Sequence, residues 1–159
     1  ENVAMACAFA ECFEWFCSNR SELESRWLGL KKKLLDSLED VEHCFVLGTP
    51  EESLPNTLNL GFQGISAESL LICLDLDGIA VSSGSACSSG AMEASHVLLA
   101  MGYSHEQAKS SLRISMGWNT SEEDIEELSR QLIHHVKRLT PISGKSDSNI
   151  QFPEPVTEI

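Results

Sequence analysis

The first seventeen residues carry the feature that most limits how this chain can fold. From residue 3 to residue 17, 13 of 15 positions are apolar, and Glu11 and Glu14 are the only charged residues. The pattern favours a helix, but a surface helix of a globular protein has only one apolar stripe. We therefore expect this helix to be covered on more than one side. The stretch is shorter than the roughly 20 apolar residues that span a membrane, and it lacks the positive leader of a signal peptide.

A second helix is expected after a break at residues 18–20. Ser21 and Glu24 have the spacing of a capping box, which marks the start of a helix. The predicted apolar stripe of this helix consists of Trp27, Leu30, Leu34, Leu35 and Leu38. The basic triplet at residues 31–33 is interpreted as the solvated face.

Short strands and helices alternate along the rest of the chain. Strands are predicted at residues 43–47, 57–62, 78–82 and 112–116, and helices at 66–76, 95–101, 105–110 and 120–139. This order predicts an α/β or α+β fold, in which helices cover a small mixed or antiparallel sheet. From Thr140 the apolar periodicity stops and Pro, Ser and Gly are frequent, so residues 140–159 are predicted to be a disordered tail.

Charge and cysteine usage narrow the class of protein. The chain has 24 acidic against 11 basic residues, a net charge of −13, so it lacks the surplus cations that bind nucleic-acid phosphates. Five of its six cysteines lie in apolar segments: Cys7, Cys12, Cys17, Cys44 and Cys73. We interpret these five as reduced core residues of a cytosolic protein.

No metal site is expected from the spacing of cysteine and histidine. The sequence has no CxxC pair and no Cys/His cluster with the spacing of a zinc site. His96 is interpreted as a partly buried ring with a hydrogen bond. His134 and His135 are interpreted as surface residues of the last helix.

Cys87, the sixth cysteine, lies in a segment of different composition. Its neighbours are Ser82, Ser83, Gly84, Ser85, Ala86, Ser88, Ser89 and Gly90. Such a run of Ser and Gly indicates a polar loop. An exposed thiol is prone to oxidation unless its reactivity is used. Composition alone does not separate a nucleophile from a loop cysteine without a function.

Several motifs together resemble one enzyme family, the cysteine desulfurases of iron–sulfur cluster assembly. Residues 82–90, followed by Met92-Glu93-Ala94-Ser95-His96-Val97-Leu98, resemble the family's catalytic-cysteine loop. The resemblance continues at residues 54–60, at the Glu-Ser-Leu-Leu of residues 68–71, at the Ser-Leu-Arg-Ile-Ser-Met-Gly of residues 111–117, and at Thr120 with Glu122 and Glu123. It covers about residues 1 to 139, with the motifs in the family's order.

The resemblance implies an activity and a set of partners. These class V aminotransferase-like enzymes use pyridoxal 5'-phosphate to convert L-cysteine to L-alanine, and the released sulfur forms a persulfide on the residue matched by Cys87. Arg113 matches the residue that binds the substrate carboxylate. The implied partners are a second copy of the enzyme and an iron–sulfur scaffold or sulfur-carrier protein in the cytoplasm, with at most a transient iron–sulfur contact at Cys87.

The resemblance also implies that part of such an enzyme lies outside this chain. The family's Schiff-base lysine follows Ser-His, and no lysine here has that context. We therefore expect the C-terminal portion of a fold-type I transferase, with no cofactor-binding residue of its own and no activity in isolation. Residues 1–38 would be connecting helices from a large domain, and residues 39–139 the small C-terminal domain.

Two residues depart from the family pattern, and two alternative functions are compatible with the sequence. Ala94 stands where the family has proline, and Trp118 stands where it has arginine. One alternative is a relative that acts on selenocysteine. The other is a non-catalytic sulfur-relay or interaction module that accepts a persulfide on Cys87.

Overall fold

The computed structural model describes residues 1–83 and 94–140. Within these ranges the elements are α1 Val3–Leu38, β1 Cys44–Val46, β2 Thr57–Phe62, α2 Ala67–Leu76, β3 Ser82–Ser83, α3 His96–Ala100, α4 His105–Lys109, β4 Ser111–Ser115 and α5 Glu122–Leu139. The predicted tail, apart from Thr140, lies outside the described residues. So do Cys87 and residues 84–90 of the predicted catalytic loop.

The four strands form one antiparallel sheet in the order β1-β2-β4-β3. Because side chains alternate between the two faces of a strand, one face collects the apolar residues Leu58, Leu60, Phe62, Leu112 and Ile114, each at most 3% exposed. The second half of α1 covers this face together with α2 and α5. The predicted fold class, a small sheet covered by helices, is confirmed.

The opposite face of the sheet carries a smaller core, which the described residues build over one part of its area. Leu47, Leu98 and Ala108 form a second, smaller core there. The Phe45 ring lies directly on the strand at Gly61, and a Cβ added there would overlap the ring. Glycine therefore permits this close approach of the ring. Toward β4 the same face carries polar side chains.

The predicted break at residues 18–20 is wrong, because α1 continues through it without interruption. Ser18 Oγ donates to the backbone oxygen of Glu14 at 2.9 Å, and Asn19 Nδ2 donates to that of Trp15 at 2.7 Å. Neither glycine nor proline occurs at this point. The polar side chains thus bond within the helix instead of capping a new one.

The cover expected for the first half of α1 is not provided by residues 1–83 and 94–140. Val3, Met5, Phe9 and Phe13 are between 59% and 73% exposed. Cys7, Cys12 and Cys17 are exposed as well, so their interpretation as core residues is wrong, while Cys44 and Cys73 are half-buried. Neither α1 nor any other described helix contains an apolar run able to cross a bilayer.

Lys31 is the exception within the basic triplet, and its predicted solvated position is wrong. It is only 3% exposed, and its ammonium donates to the backbone oxygens of Pro50 and Leu54 at 2.9 and 3.1 Å and to Ser53 Oγ at 2.5 Å. Burial lowers the pKa of Lys31. Lys31 thereby fastens the β1–β2 loop to α1.

Of the other two lysines of the triplet, Lys32 faces solvent as predicted and Lys33 is half-buried. Lys32 pairs with Asp36 one turn along α1 at 3.1 Å. Lys33 is 2.7 Å from both Glu122 and Glu126 at the start of α5. Those two carboxylates raise the pKa of Lys33, and the contact joins α1 to α5.

Of the three predictions about the burial of histidines, two are wrong. His135 is only 5% exposed, and its Nε2 lies 2.6 Å from Oδ2 of Asp77, the residue that follows α2. Its Nδ1 has no hydrogen-bond partner among the described residues. His96 is exposed instead of partly buried, and His134 is exposed as predicted. The His135–Asp77 pair fastens α5 to the end of α2, from which the chain continues toward β3.

The contact between Gly61 and Phe45 leads to a prediction about stability. Replacing Gly61 with alanine would force the Phe45 ring or the strand to move, which we expect to cost about 1–3 kcal/mol in the free energy of unfolding. Gly29→Ala is the matched control. Nothing lies within 4 Å of a Cβ built at Gly29, and alanine favours a helix by up to about 1 kcal/mol. Urea unfolding followed by circular dichroism measures both variants, and equal stability of the two would contradict the contact.

The buried ammonium of Lys31 leads to a second prediction. Lys31→Met removes three hydrogen bonds from the β1–β2 loop and should lower the free energy of unfolding by about 1–3 kcal/mol. It should also speed hydrogen exchange at the Glu52 amide, which donates to Thr49 O at 3.1 Å. Lys32→Met changes a side chain that is 74% exposed, so a change within about 0.5 kcal/mol is expected. Similar exchange rates in the two variants would show that Lys31 does not hold the loop.

Candidate active site

Arg113 lies in the middle of β4, on the polar face of the sheet. Its Cα partner in β2 is Asn59, and its partner in β3 is Ser82. Directly opposed residues of antiparallel strands share a face, so these three side chains form a row across the sheet. Leu112 and Ile114 point to the opposite face and are buried in the core. The alternation of β4 thus places one cation above a rigid apolar layer.

A cavity of about 430 Å³ opens beside Arg113. It is lined by Leu47, Gly48, Thr49, Glu52, Ser53, Asn59, Ser95, Val97, Leu98, Met101 and Arg113. Two contacts fix the loop that forms one wall. Lys31 holds Ser53, and the backbone N–H of Gly48 donates to the Tyr103 hydroxyl at 2.8 Å.

Within residues 1–83 and 94–140, the guanidinium of Arg113 has no hydrogen-bond or ion-pair partner. Its side chain is half-buried, and no described carboxylate pairs with it, although Glu52 lines the same cavity. A guanidinium presents several N–H donors in a planar fork that fits a carboxylate with two parallel hydrogen bonds. The cavity is therefore suited to a small molecule that carries a carboxylate.

The residues that flank the Cys87 segment lie beside Arg113 on one side and in the cavity lining on the other. Ser82 pairs with Arg113 and Ser83 with Leu112 immediately before residues 84–93. Ser95, two residues after that segment, lines the cavity and caps α3 by accepting from the backbone N–H of Leu98 at 3.4 Å. The structure thus brings Ser82 to Arg113, whereas the role predicted for Cys87 stays a prediction.

The described lysines do not fit a covalent pyridoxal phosphate site at this cavity, because none of them lines it. Lys31 uses its ammonium on the β1–β2 loop, and Lys32 and Lys33 pair with carboxylates. Lys109 and Lys137 are exposed on α4 and α5. None of the described lysines is therefore placed to form a Schiff base at this cavity.

Trp118, where the family pattern has arginine, lies in the turn between β4 and α5. It is 65% exposed, and its ring meets that of Trp15 edge to face, with centroids 6.3 Å apart. A second cavity of about 800 Å³ lies between this turn and α1. Arg26 of α1 holds the turn by donating to the backbone oxygens of Trp118 and Thr120. Sequence patterns did not indicate this cavity, because it forms only where α1 passes the turn.

Comparison with known proteins points to one family. The family model described as aminotransferase class-V matches residues 1–128. Cysteine desulfurase IscS 1 of Archaeoglobus fulgidus is 35% identical over 143 residues, which are 90% of this chain and 37% of that relative. Cysteine desulfurase NifS of Azotobacter vinelandii is 40% identical over 115 residues, or 72% of this chain and 29% of that protein.

Solved structures agree with this result. The solved structure of a NifS-like protein superposes with a TM-score of 0.71 at 28% identity, covering 82% of this chain and 32% of the other. The chain spans about a third of the length of the curated relatives it matches. The resemblance seen in the sequence motifs is confirmed: this chain belongs to the aminotransferase class-V family, and both curated relatives described above are named cysteine desulfurases.

Proposed function

We propose that this chain is the sulfur-accepting and substrate-binding part of a cysteine desulfurase. Arg113 binds the carboxylate of L-cysteine, and Cys87 accepts its sulfur. The observation that carries the proposal is a half-buried Arg113 whose side chain has no described partner. It lines a cavity together with Ser95, which follows the Cys87 segment, and it pairs in the sheet with Ser82, which precedes that segment. The names of the relatives supply the substrate.

Chain connectivity supports the pairing of these two residues. Cys87 follows Ser83 by four residues, and an extended chain spans at most about 3.6 Å per residue. The Cα atom of Cys87 therefore lies within about 14 Å of that of Ser83, which is next to the Cα partner of Arg113. A thiol on such a tether can reach a substrate whose carboxylate is held by Arg113.

The proposed reaction balances without an external oxidant or reductant. The Cβ–S bond of L-cysteine breaks, and an S–S bond forms at Sγ of Cys87. A proton takes the place of the sulfur on Cβ, so that L-alanine leaves and a persulfide remains. Arg113 contributes by fixing the carboxylate, which orients the Cβ–S bond toward the incoming thiolate.

The remaining parts of the activity are proposed from the family. Pyridoxal phosphate would be held by residues other than the described ones, since those supply no lysine at the cavity. Residues 1–38 would connect to a large domain, and residues 39–139 would form the small domain. A homodimer in the cytoplasm would pass sulfur to a scaffold or sulfur-carrier protein for iron–sulfur cluster synthesis, with a transient iron–sulfur contact at Cys87.

A non-catalytic sulfur relay is the second candidate. It is favoured by the absence of a suitable lysine among residues 1–83 and 94–140. In that case a persulfide donor would load Cys87 directly, and no alanine would be produced. Adding pyridoxal phosphate and L-cysteine to the natural polypeptide that carries this sequence separates the two, because only the desulfurase releases alanine.

Replacing Cys87 gives the direct test of the proposed nucleophile. In the natural polypeptide with its cofactor, Cys87→Ala should lower alanine release from L-cysteine by about a thousandfold or more, because the sulfur acceptor is lost. The cofactor absorbance should not change. Cys17→Ala is the matched control, since Cys17 is an exposed cysteine on α1 and does not line the cavity. Normal turnover in Cys87→Ala would remove Cys87 from the mechanism.

A further inference from the structure

Asn59 lies in the middle of β2, directly opposite Arg113. Its neighbours in the strand, Leu58 and Leu60, are each 1% exposed and belong to the core. The alternation of β2 therefore sends the Asn59 side chain to the polar face, where it lines the same cavity as Arg113. The position is half-buried, and the strand is a central one, paired on both sides.

The carboxamide of Asn59 has no structural role within the part of the chain that the structure describes. Within residues 1–83 and 94–140 its side chain makes no hydrogen bond, whereas its backbone oxygen accepts from the Leu47 N–H at 3.0 Å. Asn56, three residues earlier, shows the structural use of the same residue type, since its Nδ2 donates to Met116 O at 3.2 Å. Because Asn59 lines an open cavity, its amide is free to donate to a ligand there.

We propose that Asn59 is a second contact for the substrate carboxylate, beside Arg113. This inference rests on the proposed function and assigns one more residue to the same site. Opposed residues of an antiparallel pair have Cα atoms about 4.5–5.5 Å apart, so one carboxylate can reach both side chains. A carboxylate has two oxygens with about four acceptor positions. Arg113 supplies the charge, and Nδ2 of Asn59 donates to the oxygen nearer β2.

With Asn59 beside Arg113, the site selects a ligand by the geometry of its carboxylate as well as by its negative charge. Arg113 alone would attract any anion that enters the cavity. Arg113 and Asn59 together fix the plane of a carboxylate, and thereby the direction in which the rest of the amino acid points. Asn59 is thus a substrate-contacting residue that sets orientation as well as affinity.

The test measures the affinity for L-alanine and the kinetics with L-cysteine in the natural polypeptide with its cofactor. Asn59→Ala should weaken L-alanine binding about tenfold, the loss expected for one hydrogen bond to a charged group. The KM for L-cysteine should rise by a similar factor. Asn59→Asp keeps the size of the side chain but repels the carboxylate and competes for Arg113, so its affinity should fall further than that of Asn59→Ala.

Two further variants separate a direct contact from a structural role. Thr57→Ala alters the same face of the same strand outside the cavity lining, and its L-alanine affinity should stay within about twofold of the wild-type value. Arg113→Gln should weaken binding more than Asn59→Ala, because it removes the charge. Thermal unfolding confirms that each variant is folded.

The possible failures are distinguishable. If Arg113→Gln weakens binding and neither Asn59 variant does, the assignment of Asn59 is overturned while the proposed function stands. If Asn59→Asp binds L-alanine as well as Asn59→Ala or better, Asn59 does not face the carboxylate and the assignment is likewise overturned. If the wild-type polypeptide forms no alanine from L-cysteine, the proposed function itself fails.

Discussion

The register between β2 and β4 is the constraint on which the rest of the structure depends. Leu58 pairs with Ile114 and Leu60 with Leu112, and burial of these four side chains holds the sheet against α1, α2 and α5. A slip of one residue would turn Arg113 into this core, at the large cost of burying an unpaired charge. The hydrophobic core therefore determines the face on which Arg113 and its polar neighbours lie.

The wall of the cavity depends on a different interaction, the buried ammonium of Lys31. The loop between β1 and β2 has no regular structure of its own over most of its length. Because the loop has few backbone hydrogen bonds of its own, the three hydrogen bonds from Lys31 fix it against α1. The second half of α1 therefore has two roles: its apolar side chains pack on the sheet, and Lys31 fixes the loop that forms a wall of the cavity.

Sequence patterns predicted the elements whose signals are local. Ser66 was expected to begin α2, and it is the N-cap residue of Ala67–Leu76; the alternation of residues 57–62 likewise predicted β2. Two of the features that were missed depend on distant partners. Lys31 is buried by residues about twenty positions away, and His135 by Asp77. The break expected at residues 18–20 is absent because Ser and Asn side chains can bond within a helix as well as cap one. For the site, the family resemblance of the motif around Arg113 implied a carboxylate contact, but only the strand register showed Asn59 beside it.

The central claim is that sulfur from L-cysteine is transferred to Cys87. It is tested most directly with the natural polypeptide and its cofactor, incubated briefly with L-cysteine labelled with sulfur-34, alkylated and mapped by peptide mass spectrometry. The account predicts one heavy sulfur atom on the peptide that contains Cys87, and none on the peptides with Cys44 or Cys73 or on those from α1. Labelled sulfur on another cysteine, or alanine release with Cys87 unlabelled throughout, would contradict it.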